Sequence, residues 1–297
     1  MALVKDKVIV TCALTGVLAN RDQCPYLPYS PLEIAEEAKR AYDAGAAVVH
    51  IHGREPEGGA QTWSAEIYGQ IREEVRKRCP VIINFSTGGF NMGVETPEEK
   101  RARLEYVWKT RPEMAALNMG SMNYGKYSEK RKAFVFDIVF LNPFGDIAIA
   151  AEAMKKGGVK PELECFDLGH VRNAEPLIAM GALKPPLQYS FILGVLGGAP
   201  PTPETLQLMS RSIGPQDTWE VIGISKVQWK LLATALVLGG NVRVGLEDNF
   251  YLDSAGTQMA KGNAPLVEKA VRMARDVGRE PLTSDEARKA LGIPQAW

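Results

Sequence analysis

Ala46-Ala47-Val48-Val49-His50-Ile51-His52-Gly53-Arg54-Glu55 is the stretch on which the reading of this chain turns. The apolar run Ala47 to Val49, preceded by Gly45, is too short for a helix and reads as a buried parallel strand. Side chains repeat every second residue along a strand, so His50 and His52 project to the same side. They do so where the strand gives way to a glycine-containing loop. Two imidazoles so placed make a chelating pair for a borderline-soft divalent metal such as zinc. An isolated His-x-His can instead be one hydrogen-bonded core histidine beside a solvated one. The chain holds three histidines, and two of them are here, which favours the pair.

Strand and helix signals alternate outward from this point. Before it, Lys7 to Cys12 is an apolar strand running into Ala13-Leu14-Thr15-Gly16. Ser30-Pro31-Leu32-Glu33 then starts a helix, with Ser30 as N-cap, Pro31 at the first helical position and Glu33 closing a capping box. After it, a helix from Ala65 to Arg78 stops before Pro80. Val81 to Phe85 is a third strand that opens into Ser86-Thr87-Gly88-Gly89. Such a loop can present backbone N–H groups and hydroxyls to an anion, although the same residues also suit a plain tight turn. Thr96-Pro97-Glu98-Glu99 begins another capped helix, and Met114 to Asn118 is a fourth strand ending in Asn118-Met119-Gly120-Ser121.

The cycle continues with a helix around Gly145 to Lys156 and a strand Glu162 to Phe166. Glu162 and Glu164 share one face of that strand, and Asp167, Gly169 and His170 follow it. Buried carboxylates are costly unless paired, hydrogen-bonded or metal-linked, so a site role is the better reading. A helix Glu175 to Met180, a strand Leu187 to Leu193, a helix capped at Thr202 and a strand Trp219 to Ile224 come next. The helix Lys226 to Leu238 leads to the eighth strand, Val242-Arg243-Val244-Gly245-Leu246, which runs into Glu247-Asp248-Asn249. Helices Pro265 to Val277 and Asp285 to Leu291 close the chain.

Eight strands, each followed by helical sequence with no linker between, predict one α/β domain over residues 1–297, a single (β/α)8 TIM barrel with C-terminal helices. A doubly wound sheet should carry Gly-x-Gly-x-x-Gly after its first strand, which Thr15-Gly16-Val17-Leu18 does not supply. The 297 residues are 45% hydrophobic and 24% charged with zero formal net charge, so no global basic field points to nucleic acid or an anionic membrane. Apolar runs such as Leu231 to Gly240 fall short of a membrane span. The first seven residues lack the order of a signal peptide, and the four cysteines show no Cys-x-x-Cys spacing, which suits a reduced cytoplasmic setting.

In such a barrel, functional groups gather at the C-terminal ends of strands. Thr15, His50, His52, Ser86, Asn118, Ser121, Glu164, Glu247 and Asp248 all fall there. Glu247 is the natural third protein ligand of a two-histidine, one-carboxylate zinc site with a position open to substrate. Asp248 beside it can serve as base, and Arg243 can hold and tune it, or be a structural ion pair.

His50-Ile51-His52-Gly53-Arg54-Glu55, Ser86-Thr87-Gly88-Gly89, Leu117-Asn118-Met119-Gly120-Ser121-Met122-Asn123, Pro161-Glu162-Leu163-Glu164 and Arg243-Val244-Gly245-Leu246-Glu247-Asp248-Asn249, in this order and spacing, resemble the β-keto acid cleavage enzyme family. Its type activity is 3-keto-5-aminohexanoate cleavage. The resemblance implies a zinc-dependent TIM barrel, a homo-oligomer with a tetramer favoured, that converts a β-keto acid and acetyl-CoA into acetoacetate and a new acyl-CoA. It makes His50, His52 and Glu247 the Zn2+ ligands, Asp248 the base, Arg243 its assistant, and Ser86 the holder of the substrate carboxylate within the loop Ser86 to Gly89.

Three positions depart from that pattern. Leu18 stands where members acting on amino-keto acids carry a glutamate, which argues against an ammonium-bearing substrate. Ala116 replaces a hydroxyl two residues before Asn118. The usual Gly-Ile-Gly-Arg reads Gly223-Ile224-Ser225-Lys226. These last two bear on carboxylate grip and CoA contacts. A hydrolytic barrel of the amidohydrolase type needs two more metal histidines, and this chain has one other in total. A barrel that only binds ligand would have no use for the intact Glu247-Asp248 pair and Arg243.

Overall fold

The computed structural model describes residues 6–89 and 94–293; residues 1–5, part of the N-terminus read as lacking a signal peptide, lie outside that description. Eight parallel strands close into a barrel: β1 (Val10–Ala13), β2 (Val48–Ile51), β3 (Ile82–Phe85), β4 (Met114–Asn118), β5 (Lys160–Cys165), β6 (Gln188–Leu193), β7 (Thr218–Gly223) and β8 (Asn241–Val244). β8 pairs with β1 through Val242, Arg243 and Val244, which leaves the barrel sheet without an edge. This is the predicted TIM barrel.

The helices stand where the sequence caps them. Ser30 and Glu33 form the capping box of Pro31–Asp43, and Thr96 with Glu99 does the same for Pro97–Arg103. That second helix is interrupted at Leu104 and resumes as Glu105–Thr110. The outward faces of the strands and the inner faces of the helices form one continuous apolar shell.

A second cluster of Ile9, Ala47, Val48, Ile82 and Met114 fills the N-terminal end of the barrel under the last helix, Ser284–Leu291, with Ala287 and Leu291 packed into it. Arg288 of that helix donates to Glu113 at 2.6 Å, and the Ser284 hydroxyl donates to the Ala47 carbonyl. The closing helix therefore acts as a floor, leaving the other end open.

Two elements differ from the expectation. Lys7 to Cys12 is not one strand: Lys7–Val8 pairs with Glu280–Pro281 outside the barrel, and Val10 starts β1. Between β4 and its helix Phe144–Gly157 lies an antiparallel hairpin, Met122–Ser128 with Ala133–Phe140, that the helix-strand cycle did not anticipate. Phe134, Phe136, Ile138 and Phe140 alternate along it at strand spacing. The hairpin leans on the loop after β6 through a bridge from Gly125 to Leu196. Gly197, at φ 101, allows this approach, since a Cβ there would stand 1.9 Å from the Asn123 carbonyl oxygen.

Candidate active site

His50 points into the barrel from β2 and is fully buried. Among the described residues neither of its ring nitrogens has a hydrogen-bond partner, nor has Nδ1 of His52. Buried polar atoms without partners are uncommon and ask for a reason. Glu247, on the loop after β8, supplies one: its Oε1 lies 3.6 Å from His50 Nε2 and 3.4 Å from His52 Nε2. Ligand atoms about 2.0–2.1 Å from a tetrahedral metal lie about 3.3–3.4 Å apart, so the three residues fit a divalent ion of zinc's size. Burial holds His50 down to about 3, the neutral form in which imidazole binds metal.

The loop carrying Glu247 is placed by Gly245, at φ 141, whose missing side chain lets the backbone press on Ala13. Glu247 N–H donates to the Ala13 carbonyl, and Gly16 N–H donates to Glu247 Oε2 at 3.1 Å. Thr15 ties the neighbouring strand ends together: its hydroxyl donates to the His52 carbonyl at 3.0 Å and accepts from the His52 N–H at 2.8 Å. That hydroxyl spends its proton on the His52 backbone and does not line the cavity. Arg54, quoted in the sequence only as part of a motif, is 2% exposed and donates to the carbonyls of Thr15, Gly16, Ala19 and Gly59. It fixes the loop after β1 to the loop after β2.

Arg243, on β8, is the electrostatic centre. Its Nε and Nη2 donate to the two oxygens of Asp248, each at 2.9 Å, and Nη2 also donates to Glu247 Oε1 at 2.6 Å. Nη1 stands 3.6 Å from Glu164 Oε1. One guanidinium thus faces three carboxyl groups, two of them buried and that of Glu247 partly so. Burial, then the neighbouring Glu247, pushes Asp248 up to about 6 against the pull of Arg243. Burial, then Glu162, pushes Glu164 up to about 8. At neutral pH the first is mostly a carboxylate and the second mostly a carboxylic acid.

Beneath this level lies a polar layer drawn from β1, β3, β5, β6 and β7. Asn84 donates to Glu162, Ser190 donates to Glu162 at 2.6 Å and lies 3.2 Å from Glu220, and Thr11 donates to Glu220 at 2.7 Å. Burial and the adjoining Glu162 push the Glu220 carboxyl well above the usual carboxylate range. Glu220 therefore carries a proton and Glu162 the charge, with Glu162 Oε2 3.9 Å from His50 Nδ1. Sequence reasoning found Glu162 and missed Glu220. The signal was there: Glu220 sits two residues from Ile222 on the inward face of a short strand.

Across the mouth, the Ser86 hydroxyl accepts from the Gly88 N–H at 3.2 Å, and Ser86, Gly88, Gly89 and Asn118 line the cavity together. The Thr87 hydroxyl turns away and donates to the Ala116 carbonyl on β4. Val17 and Leu18 form a wall at the end of β1, with Leu18 51% exposed. Ser225, in the left-handed region at φ 62, donates its N–H to the Asp248 carbonyl at 2.8 Å. Asp167 and His170 do not reach the cavity. Asp167 caps the helix Leu168–Arg172, and the His170 ring packs over Gly120 and lies 3.3 Å from the Ser121 carbonyl.

A parallel barrel with a two-histidine, one-carboxylate cluster, an adjoining arginine-held acid and a Ser-Thr-Gly-Gly loop at its C-terminal mouth belongs to the TIM-barrel enzymes. The family follows from comparison: the chain belongs to the beta-keto acid cleavage enzyme family, whose model matches residues 7–293. It is 38% identical over 97% of its length to the 3-keto-5-aminohexanoate cleavage enzyme of Fusobacterium nucleatum, of which 98% is covered. It is 32% identical over 98% of its length to the 3,5-dioxohexanoate:acetyl-CoA acetone transferase of Paraburkholderia graminis, covering 97% of that protein. Among solved structures, the complex of ObcA with oxaloacetate matches with a TM-score of 0.74 at 22% identity, over 91% of this chain and 68% of that one, a likeness of fold. The chain is thus an enzyme of the β-keto acid cleavage and acetyl-CoA transferase kind.

Proposed function

We propose that this protein is a zinc-dependent β-keto acid cleavage enzyme that acts on a neutral, largely aliphatic β-keto acid. With acetyl-CoA as co-substrate, it forms acetoacetate and the acyl-CoA of the substrate's tail. The observation that carries the reading is the convergence of His50, His52 and Glu247 beside the Arg243–Asp248 pair. His50, His52 and Glu247 would hold the metal, which when bound supplies Lewis-acid polarisation of a carbonyl oxygen.

The chain's own groups supply the rest. Ser86, whose hydroxyl is oriented by the Gly88 N–H, holds the substrate carboxylate together with Asn118 and the Gly89 N–H. Asp248 takes a proton from the carbon between carboxylate and ketone, and Arg243 keeps both of its oxygens in place. The carbanion attacks the thioester carbonyl of acetyl-CoA and expels the CoA thiolate. The thiolate adds to the original ketone carbon, the bond to the former α-carbon breaks, and the proton on Asp248 returns to that carbon as acetoacetate leaves. Atoms and charge balance, and Asp248 ends as it began.

Leu18 carries the substrate class. An ammonium set against Val17 and Leu18 would lose hydration with no opposite charge in return. Glu55 and Glu57, the acids of the nearby loop, do not line the cavity. The setting we propose is a cytoplasmic homo-oligomer, a tetramer by family resemblance. Four buried, unpaired cysteines support a reducing compartment. No described helix is long and apolar enough to cross a membrane.

The test is a panel of β-keto acids offered with acetyl-CoA to the purified protein, reading acetoacetate and acyl-CoA together. Stoichiometric formation of both is expected. Acetyl-CoA consumed without acetoacetate, or no consumption with any member, overturns the reading.

A further inference from the structure

Around the mouth, the cavity lining divides by strand. The end of β3 and β4 is polar, with Ser86, Gly88 and Asn118. The ends of β8 and β2 bring Glu247, Asp248 and His52, and β1 adds Val17 and Leu18. What remains, the arc from β5 to β7, is apolar: Phe166, Ile192, Val195 and Ile222, roofed by Tyr124 and Phe140 of the hairpin. These residues form a hydrophobic cluster of their own, separate from the barrel shell. The three rings meet pairwise, with centroids 5.9 Å apart for Tyr124–Phe140, 6.0 Å for Phe140–Phe166 and 6.4 Å for Tyr124–Phe166.

We infer that this roofed arc between β5 and β7 seats the arm of acetyl-CoA behind the thioester, and that the hairpin is the clamp that closes over it. The inference rests on the function proposed above and follows from how two reactants share one carbon. In a β-keto acid, the carboxylate and the tail leave on opposite sides of the α-carbon and ketone. With the carboxylate at β3 and β4 and the ketone near His52 and Glu247, the tail runs toward β1 and Leu18, since Gly16 is the residue bonded to Glu247. The thioester must reach the same α-carbon from the side left free, and that side is the apolar arc.

The size and charge of the arc agree. An acetyl group is one methyl, far too small to need six apolar side chains, whereas the pantetheine arm behind it is a long chain that has to leave through the mouth. The hairpin roofing this exit carries Lys130, Arg131 and Lys132, all exposed, at its far end, with Lys132 paired to Glu129 at 2.8 Å so that the tip keeps a net positive charge. Their sign suits the phosphates at the distal end of CoA. The roof is held by the Gly125–Leu196 bridge, so the clamp is braced on the loop after β6 rather than on the catalytic strands.

The experiment compares wild type with Phe140→Ala, Phe140→Leu and Tyr124→Ala, each checked for an unchanged thermal transition. Two quantities are read: the Kd of CoA by calorimetry, and the KM of each substrate separately. Phe140→Ala and Tyr124→Ala should weaken CoA binding and raise the acetyl-CoA KM about 10-fold, as loss of a buried aromatic anchor does. The KM of the β-keto acid should stay within about twofold. Phe140→Leu, which keeps an apolar roof, should fall between and decides the matter if Phe140→Ala does not fold. A rise in the KM of the β-keto acid alone, unchanged CoA binding in all variants, or a wild type that binds no CoA overturns the inference. If wild type turns over no β-keto acid, the proposed function fails, yet the CoA titration still decides where the arm sits.

Discussion

Arg243 meets Asp248 edge to edge, with Nε and Nη2 each 2.9 Å from one carboxylate oxygen, while the same Nη2 bonds Glu247 at 2.6 Å. The planar guanidinium fork therefore couples the proposed base to the proposed metal ligand. Asp248→Asn keeps the shape but cannot take a proton. Turnover should fall about 10²–10⁴-fold with bound metal and thermal transition retained. Near-normal turnover would place the base elsewhere, with Glu164 the next carboxyl in line. Arg243→Met should be worse for the fold, costing about 3–5 kcal/mol in denaturant unfolding, because it strands buried carboxylates without their cation.

Metal content tests the cluster directly. About one zinc per chain should be found by elemental analysis of the purified protein. His50→Ala and His52→Ala should each lose most of it, and chelator treatment of wild type should lower its thermal transition, since a ligand bound only by the folded state stabilises that state. Full occupancy in both variants would remove these residues from the site.

Substrate choice turns on one wall. Wild type should favour neutral aliphatic β-keto acids over 5-amino-3-ketohexanoate in kcat/KM. An apolar tail gains roughly 25 cal/mol per Å² buried there, whereas an ammonium gains nothing. Leu18→Glu should move the preference toward the amino substrate. A wild-type preference for the amino compound would refute the assignment of this wall.

The buried acid pair gives a pH signature. Glu220 keeps its proton in the folded chain, while an unfolded glutamate releases it near the ordinary value of 4.5. A raised pKa contributes stability that is present in full below the unfolded value and is lost progressively as pH rises toward the folded one. Glu220→Gln mimics the protonated form and removes this loss. Relative to wild type, the variant should gain stability steadily as pH increases above about 4.5 in urea titrations. A difference independent of pH would show that Glu220 ionises normally.

The barrel was legible in the sequence because its signals are local. Short apolar runs, Ser30, Thr96 and Thr202 as caps, and prolines at first helical positions mark each unit within a few residues. Period-two alternation put His50 and His52 on one face, and the rule that strands deliver function at their C-terminal ends drew attention to Glu247, Asp248 and Ser86. What no local pattern contains is partnership across the barrel. Thr11 and Glu220 are 209 residues apart in the chain and 2.7 Å apart in space. Only closure of β8 on β1 and the stagger of strands bring them into one layer with Asn84, Glu162 and Ser190. The same holds for direction. Thr15 and Thr87 read as hydroxyls at strand ends, and tertiary hydrogen bonds turn one toward the His52 backbone and the other toward Ala116. The hairpin alternates visibly in Phe134, Phe136, Ile138 and Phe140, but its place over the β5–β7 arc depends on Gly197 meeting Asn123, a contact between distant loops. Residue type and spacing thus determined which groups the protein can use, and the closing of the barrel decided which of them face one another.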